Sequence, residues 1–79
     1  MREMKLEFTE HAMKRMVQRK LSMDIVSNVV NDPDFTEMQD DGCVRYFKYE
    51  EELKFYVRVV CRGDLVITAM PDRGVKRRR

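Results

Sequence analysis

The chain has 79 residues and a formal net charge of +2, enough length for one domain and too little for two. The 16 Lys and Arg are nearly balanced by 14 Asp and Glu, which excludes a protein that binds polyanions through bulk charge. Any binding of an anion must therefore depend on where the basic residues lie and not on the net charge. We expect one domain over residues 1–72 and a basic, disordered tail over residues 73–79.

The first predicted helix begins after Thr9, and the segment LEF before it fits either a short strand or an extended lead-in. The Thr9 hydroxyl can accept a hydrogen bond from a free backbone N–H of the first helical turn. Four apolar residues recur at helical spacing and form the predicted apolar face of this helix: Ala12, Met13, Met16 and Val17.

A second stripe of the same helix carries bases. His11, Arg15 and Arg19 are four residues apart, and Lys14 lies beside them. Like charges at this spacing repel mildly on an isolated helix. We therefore interpret the stripe as one wall of an anion-facing groove, either for RNA phosphates or for an acidic partner peptide.

The second predicted helix begins after Ser22, which is a good N-cap residue. It ends before Pro33, because the residue that precedes a proline avoids the helical region. Its apolar face consists of Ile25, Val26, Val29 and Val30. The first third of the chain is thus predicted to be a helical hairpin.

The rest of the chain reads as strands. DFTEMQ, CVRYFKY, LKFYVRVVC and LVITAM are separated by the turn signals DDG, EEE and RGD. These elements predict an α+β fold in which two N-terminal helices pack on one face of an antiparallel sheet of about four strands.

The third predicted strand, LKFYVRVVC, alternates clearly. Its odd positions are predicted to face the helices, and Tyr56, Arg58 and Arg62 to face away. Whether Arg45 or Lys48 joins them depends on the hairpin register, because a slip of one residue exchanges the two faces.

The two cysteines, Cys43 and Cys61, show no metal-ligand spacing and fall in predicted strands, where a thiol behaves as a small hydrophobe. We expect both to be reduced and dispensable, although a disulfide between them stays open. The sequence shows no signal peptide and no membrane span, so we expect a cytoplasmic protein with no cofactor and no membrane partner.

An ordered set of motifs spans the chain. H-A-x-x-R-x-x-x-R (His11, Ala12, Arg15, Arg19) is followed by LSMDIV, NDP, YFKY, FYVRVV and VITAMPD. This set resembles a domain-of-unknown-function family related to the BrnT and RelE-like toxins of toxin–antitoxin systems. The resemblance implies a toxin-like RNA-binding protein, an mRNA endoribonuclease activity, and RNA, ribosome-bound mRNA or a cognate antitoxin as partners.

RNA cleavage by a 2′-hydroxyl needs proton transfer and stabilisation of charge on phosphorus. His11 would move the protons, and arginines would hold the phosphate. No acidic metal-ligand pattern appears, so the predicted mechanism is metal-independent. The predicted catalytic residues are His11, Arg15, Arg19 and Arg58. The predicted RNA-binding residues are Lys14, Lys48, Tyr56 and Arg62.

The alternative is a non-catalytic interaction module. The same bases would satisfy an acidic protein partner, and an edge strand such as DFTEMQ could pair with its copy in a homodimer. Structural roles also stay open for the site residues, because surface arginines often pair with nearby acids and contribute little energy.

Overall fold

The computed structural model describes residues 5–72 and Gly74. The predicted tail lies outside the described residues, apart from Gly74. These described residues form two helices and five strands: β1 (Glu7–Phe8), α1 (Glu10–Gln18), α2 (Met23–Asn31), β2 (Phe35–Met38), β3 (Val44–Glu50), β4 (Phe55–Arg62) and β5 (Leu65–Asp72). The strands form one sheet with the order β1-β5-β4-β3-β2.

The predicted fold class was wrong, because the sheet in the described part of the chain has five strands rather than about four and is mixed rather than antiparallel. β1 precedes both helices and pairs with β5 in parallel, with Glu7 opposite Leu65 and Phe8 opposite Val66. The helices are therefore not the first elements of the described chain. A strand of two residues shows no alternation, so the segment LEF could not reveal its pairing from sequence.

The start of α1 is tied to β5 through Thr9. The Thr9 hydroxyl accepts from the Ala12 N–H at 3.0 Å, which confirms the predicted N-cap. The Thr9 backbone N–H donates to the Val66 carbonyl at 3.2 Å. The helix begins where the chain leaves the sheet, and its first turn is held against the outer edge of β5.

The end of α1 is a Schellman motif. The Leu21 N–H donates to the Met16 carbonyl at 2.8 Å, and the Lys20 N–H donates to the Val17 carbonyl at 3.2 Å. Leu21 and Met16 are both buried, which adds the apolar contact typical of this motif. Lys20 has φ +58°, in the left-handed region that glycine usually occupies here. That conformation costs a residue with a Cβ about 1–2 kcal/mol.

The second helix follows the prediction. The Ser22 hydroxyl accepts from the Ile25 N–H at 3.1 Å, which confirms this N-cap, and α2 ends at Asn31, ahead of Pro33. Its buried side chains are Val26, Val29 and Val30.

The core lies between the helices and one face of the sheet. Val57, Val59 and Cys61 of β4 are fully buried in a cluster that includes residues of both helices. The predicted alternation of β4 is therefore confirmed. Only two of the four residues predicted to form the apolar face of α1, Ala12 and Met16, are buried. Met13 is 45% and Val17 79% exposed. Each follows a buried residue by one position, a rotation of about 100° around the helix.

The opposite face of the sheet is defined by the strand register. Arg58 lies opposite Phe47 on β3 and Met70 on β5. Arg45 lies opposite Val60 and so shares the face of Arg58, whereas Lys48 lies opposite the core residue Val57. The register thus answers the question that the sequence left open for Arg45 and Lys48.

Candidate nucleic-acid interface

The outward side of α1 is basic. His11 and Lys14 are exposed and Arg15 is half-buried, and Lys20, just past the end of the helix, is also exposed. No Asp or Glu occurs between residues 11 and 23. We call His11, Lys14, Arg15 and Lys20 the α1 basic surface.

The cations of this surface have no carboxylate partner among residues 5–72 and Gly74. Arg15 donates to the side-chain oxygen of Gln18 at 3.3 Å, a neutral partner one turn along the helix. The ion pairs found in this part of the chain involve cations of β3 and β4 instead: Arg45 with Glu37 at 3.3 Å, Lys48 with Asp32 at 3.4 Å, and Arg58 with Asp72 at 3.7 Å. Three cations of the sheet are therefore compensated by carboxylates, whereas Lys14, Arg15 and Lys20 have no carboxylate within ion-pair distance.

Arg19 is separated from the stripe that the sequence suggested. Its guanidinium donates to the Ala69 carbonyl at 3.1 Å. Ala69 lies on β5 beyond the two residues that β1 covers, so this carbonyl points to an otherwise open sheet edge. Arg19 closes part of that edge, which would otherwise present unpaired backbone groups.

Arg58 lies behind the sheet relative to α1. Its side chain approaches Asp72 and the sulfur of Met70 on β5, and its buried Nε has no partner among the described residues. The four predicted catalytic residues are therefore not gathered in one place. His11 and Arg15 share the outer side of α1, Arg19 closes the β5 edge, and Arg58 faces away.

The predicted RNA-binding residues are also spread. Lys14 belongs to the α1 basic surface. Lys48 donates to the Asp32 carbonyl at 2.9 Å, at the end of α2. The ring of Tyr56 is buried, so it cannot stack on a base. Arg62 is exposed and donates to the Asp41 carbonyl at 3.2 Å, beside the β2–β3 turn.

Aromatic rings group on the face of the sheet away from the helices. Phe35 stacks on Phe47 with ring centroids 4.6 Å apart, and Tyr49 meets Tyr56 edge-on at 5.4 Å. Neither α1 nor α2 contains Phe, Tyr or Trp. The α1 basic surface therefore offers charges without rings.

Sequence reasoning missed Lys20 as a member of the surface. The run Arg19-Lys20 was a signal, because it continues the bases of α1 without an acid. The left-handed conformation was hidden, because glycine is the residue that normally reveals such a position.

The chain matches a family described as "Domain of unknown function (DUF4258)" over residues 8–71. It belongs to the DUF4258 family. The matched region includes α1, α2 and nearly the whole sheet, and so contains the α1 basic surface. No curated protein and no solved structure matches the chain. The family description names no activity, so the resemblance to BrnT and RelE-like toxins stays a prediction.

Three of the groups with a perturbed pKa in this DUF4258 domain are acids outside the α1 basic surface. The backbone N–H of Cys43 lowers the pKa of Asp41 in the β2–β3 turn. Burial raises the pKa of Glu50 at the end of β3, where one carboxylate oxygen has no partner among the described residues. Burial also raises the pKa of the Cys61 thiol to about 11. These pKa shifts affect stability and thiol reactivity, and they do not concern the charges of the α1 basic surface.

Within residues 5–72 and Gly74, His, Cys, Asp and Glu nowhere form a group of three that could hold a metal ion. Both cysteines are free and buried. Neither α1 nor α2 is long and apolar enough to cross a membrane. β2 is an edge strand with Thr36, Glu37 and Met38 exposed, and its pairing in a homodimer stays a prediction.

Proposed function

We propose that this DUF4258 protein binds RNA through the α1 basic surface. The observation that carries the proposal is the placement of charge. Arg45, Lys48 and Arg58 of the sheet have carboxylate partners, whereas the described part of the chain supplies none within ion-pair distance to Lys14, Arg15 or Lys20. Uncompensated cations on one side of a helix attract the phosphate backbone of a nucleic acid and release its counterions on binding.

The proposed contact is to the RNA backbone rather than to the bases. Single-strand binders gain much of their affinity by stacking bases on aromatic rings. The helices carry no such ring, and Phe47 and Tyr56 are buried on the far side of the sheet. We therefore expect sequence-independent binding with a Kd of about 10⁻⁴–10⁻⁶ M at physiological salt.

Metal-independent mRNA cleavage is a narrower proposal. His11 is the only histidine of the chain and is exposed in the first turn of α1. Arg15 follows one turn later, about 6 Å along the helix axis. Proton transfer would rest on His11, with Lys14 and Arg15 holding the phosphate. Arg58 faces away from α1 and is therefore not placed to hold the same phosphate.

The test is the affinity of charge-neutral variants for a short fluorescent RNA, measured by anisotropy. Arg15→Gln should weaken binding about fivefold at about 0.1 M salt, the effect of one lost phosphate contact. Arg45→Gln is the matched control, because it removes the same charge from a half-buried arginine of the sheet that is paired with Glu37. An equal loss in both variants, or no binding by the parent protein, would overturn the proposal.

The cleavage proposal has its own readout. His11→Gln should bind RNA as the parent protein does, and intact RNA should then accumulate on a denaturing gel. If the parent protein leaves the RNA intact under conditions in which it binds, the protein is an RNA-binding module without nuclease activity.

A second candidate is binding to an acidic protein partner, such as an antitoxin. It is favoured by the exposed apolar side chains Met13 and Val17, which line an open cavity of about 550 Å³ with Lys14 and Gln18. Val17→Ser separates the two candidates. It should leave RNA affinity unchanged, but it should weaken binding of an acidic amphipathic peptide if the cavity receives one.

A further inference from the structure

We propose that Lys20 is a phosphate-contact residue of the α1 basic surface. The proposal rests on the RNA binding proposed above and identifies a residue beyond the helical stripe. Its starting point is that Lys20 bears two separate costs, one from its backbone and one from its charge.

The backbone cost comes from the left-handed conformation. Among the described non-glycine residues, positive φ occurs at Lys20, with φ +58°, and at Lys54, with φ +65°. Lys20 is the C′ residue of the Schellman motif that ends α1, where glycine is the favoured residue. Lysine at this position has a strained backbone that glycine would not have, but it places a charged side chain at the helix end.

The charge cost comes from the neighbours of Lys20. It follows Arg19 directly, and Lys14 and Arg15 precede it on the same helix, with no acid between residues 11 and 23. Lys54 is different, because Glu51 and Glu52 stand just before it in the same turn. Local acids thus explain a lysine at position 54, and nothing of this kind explains one at position 20.

The motif also holds the backbone of Lys20 in place. The N–H groups of Lys20 and Leu21 are bonded to carbonyls of α1, and the Leu21 side chain is buried in the core. The backbone of Lys20 is therefore held while its side chain is exposed. Lys20 thus adds an exposed cation just past the end of α1.

A local role for Lys20 makes a different prediction. A cation at the C-terminal end of a helix interacts favourably with the helix dipole. In that case, removal of the charge would lower the unfolding temperature and leave RNA affinity unchanged.

The experiment compares Lys20→Gln with Lys54→Gln, two variants that remove the same net charge from exposed lysines with the same backbone conformation. Anisotropy with a short fluorescent single-stranded RNA is measured over a series of salt concentrations. Lys20→Gln should weaken binding about fivefold at about 0.1 M salt and make the slope of log K against log salt shallower by about 0.7. Lys54→Gln should change neither quantity, and Lys20→Arg should bind as the parent protein does.

A third variant, Lys20→Gly, relieves the backbone strain as well as removing the charge. We expect it to bind RNA as weakly as Lys20→Gln without a lower unfolding temperature, because the relieved strain offsets the extra freedom of glycine in the unfolded chain.

The outcomes separate the two proposals. Equal RNA affinity in Lys20→Gln and the parent protein overturns the role of Lys20 and leaves the proposed function standing. Equal weakening by Lys20→Gln and Lys54→Gln also overturns it, because the effect is then one of net charge. A parent protein that does not bind RNA removes the proposed function and this inference together.

Discussion

The guanidinium of Arg19 donates a hydrogen bond to the Ala69 carbonyl at 3.1 Å and so ties the end of α1 to the exposed edge of β5. Thr9 makes the corresponding tie at the start of the helix, through its N–H and the Val66 carbonyl. The helix is thereby fixed at both ends to one strand, and this attachment turns Lys14 and Arg15 toward solvent.

The first prediction concerns this tie. Arg19→Ala should lower the free energy of unfolding by about 1–2 kcal/mol, because a hydrogen bond from a charged donor to a sheet-edge carbonyl is lost. Arg15→Ala, which removes a guanidinium bonded only to Gln18 among the described residues, should change it by less than about 0.5 kcal/mol. Urea denaturation of the two variants measures the difference, and equal losses would contradict the structural role of Arg19.

The second prediction concerns pH and the buried Glu50 carboxyl, which is 8% exposed. Burial raises its pKa above the ordinary value of 4.5, so the folded protein holds this proton at pH values where the unfolded chain has lost it. The Glu50 contribution to stability must therefore fall as pH rises from the ordinary pKa through the raised one.

Glu50→Gln should remove this loss of stability with rising pH, and Glu51→Gln, an exposed neighbour in the following turn, should retain it. The measurement is the free energy of unfolding in urea from about pH 4 to about pH 8, the range over which a raised carboxyl pKa acts. Parallel pH profiles for Glu50→Gln and the parent protein would show that Glu50 is not the responsible group.

The third prediction concerns the Cys61 thiol. It is fully buried, and its pKa of about 11 keeps it protonated at neutral pH. Because the thiolate is the reactive form, alkylation of Cys61 should be slow in the folded protein and fast in urea. Mass spectrometry of the Cys43→Ser variant isolates the Cys61 reaction. Rapid modification under native conditions would show that the thiol is accessible.

The fourth prediction concerns the aromatic group behind the sheet. Phe47 is buried beneath Phe35, with which it stacks. Phe47→Ala should cost about 3–5 kcal/mol, the range for truncating a buried phenylalanine. Phe35→Ala should cost clearly less, because Phe35 is only half-buried. Equal urea midpoints for the two variants would contradict this order.

The sequence predicted the local elements well where capping and periodicity act within a few residues. Thr9 and Ser22 are N-caps as expected, and β4 alternates as expected because a half-buried strand has a period of two. The pairing of β1 could not be predicted, since its parallel contact with β5 is a long-range contact made by two residues.

The candidate site was harder to predict than the fold. His11, Lys14 and Arg15 follow directly from helical spacing. The separation of Arg19 and Arg58 from them depends on how α1 leans on β5 and on which sheet face Arg58 occupies. Both depend on tertiary packing. The left-handed Lys20 depends on the buried Leu21 that closes the helix, which is also a tertiary feature.

The measurement that tests the central claim most directly is the salt dependence of RNA binding. The α1 basic surface presents three permanent cations, Lys14, Arg15 and Lys20. Log K for single-stranded RNA should therefore fall against log salt with a slope of about −2, at about 0.7 per phosphate contact. Conversion of these three residues to Gln should bring the slope close to zero. An unchanged slope in that triple variant would show that RNA binds elsewhere on the protein and would contradict the account.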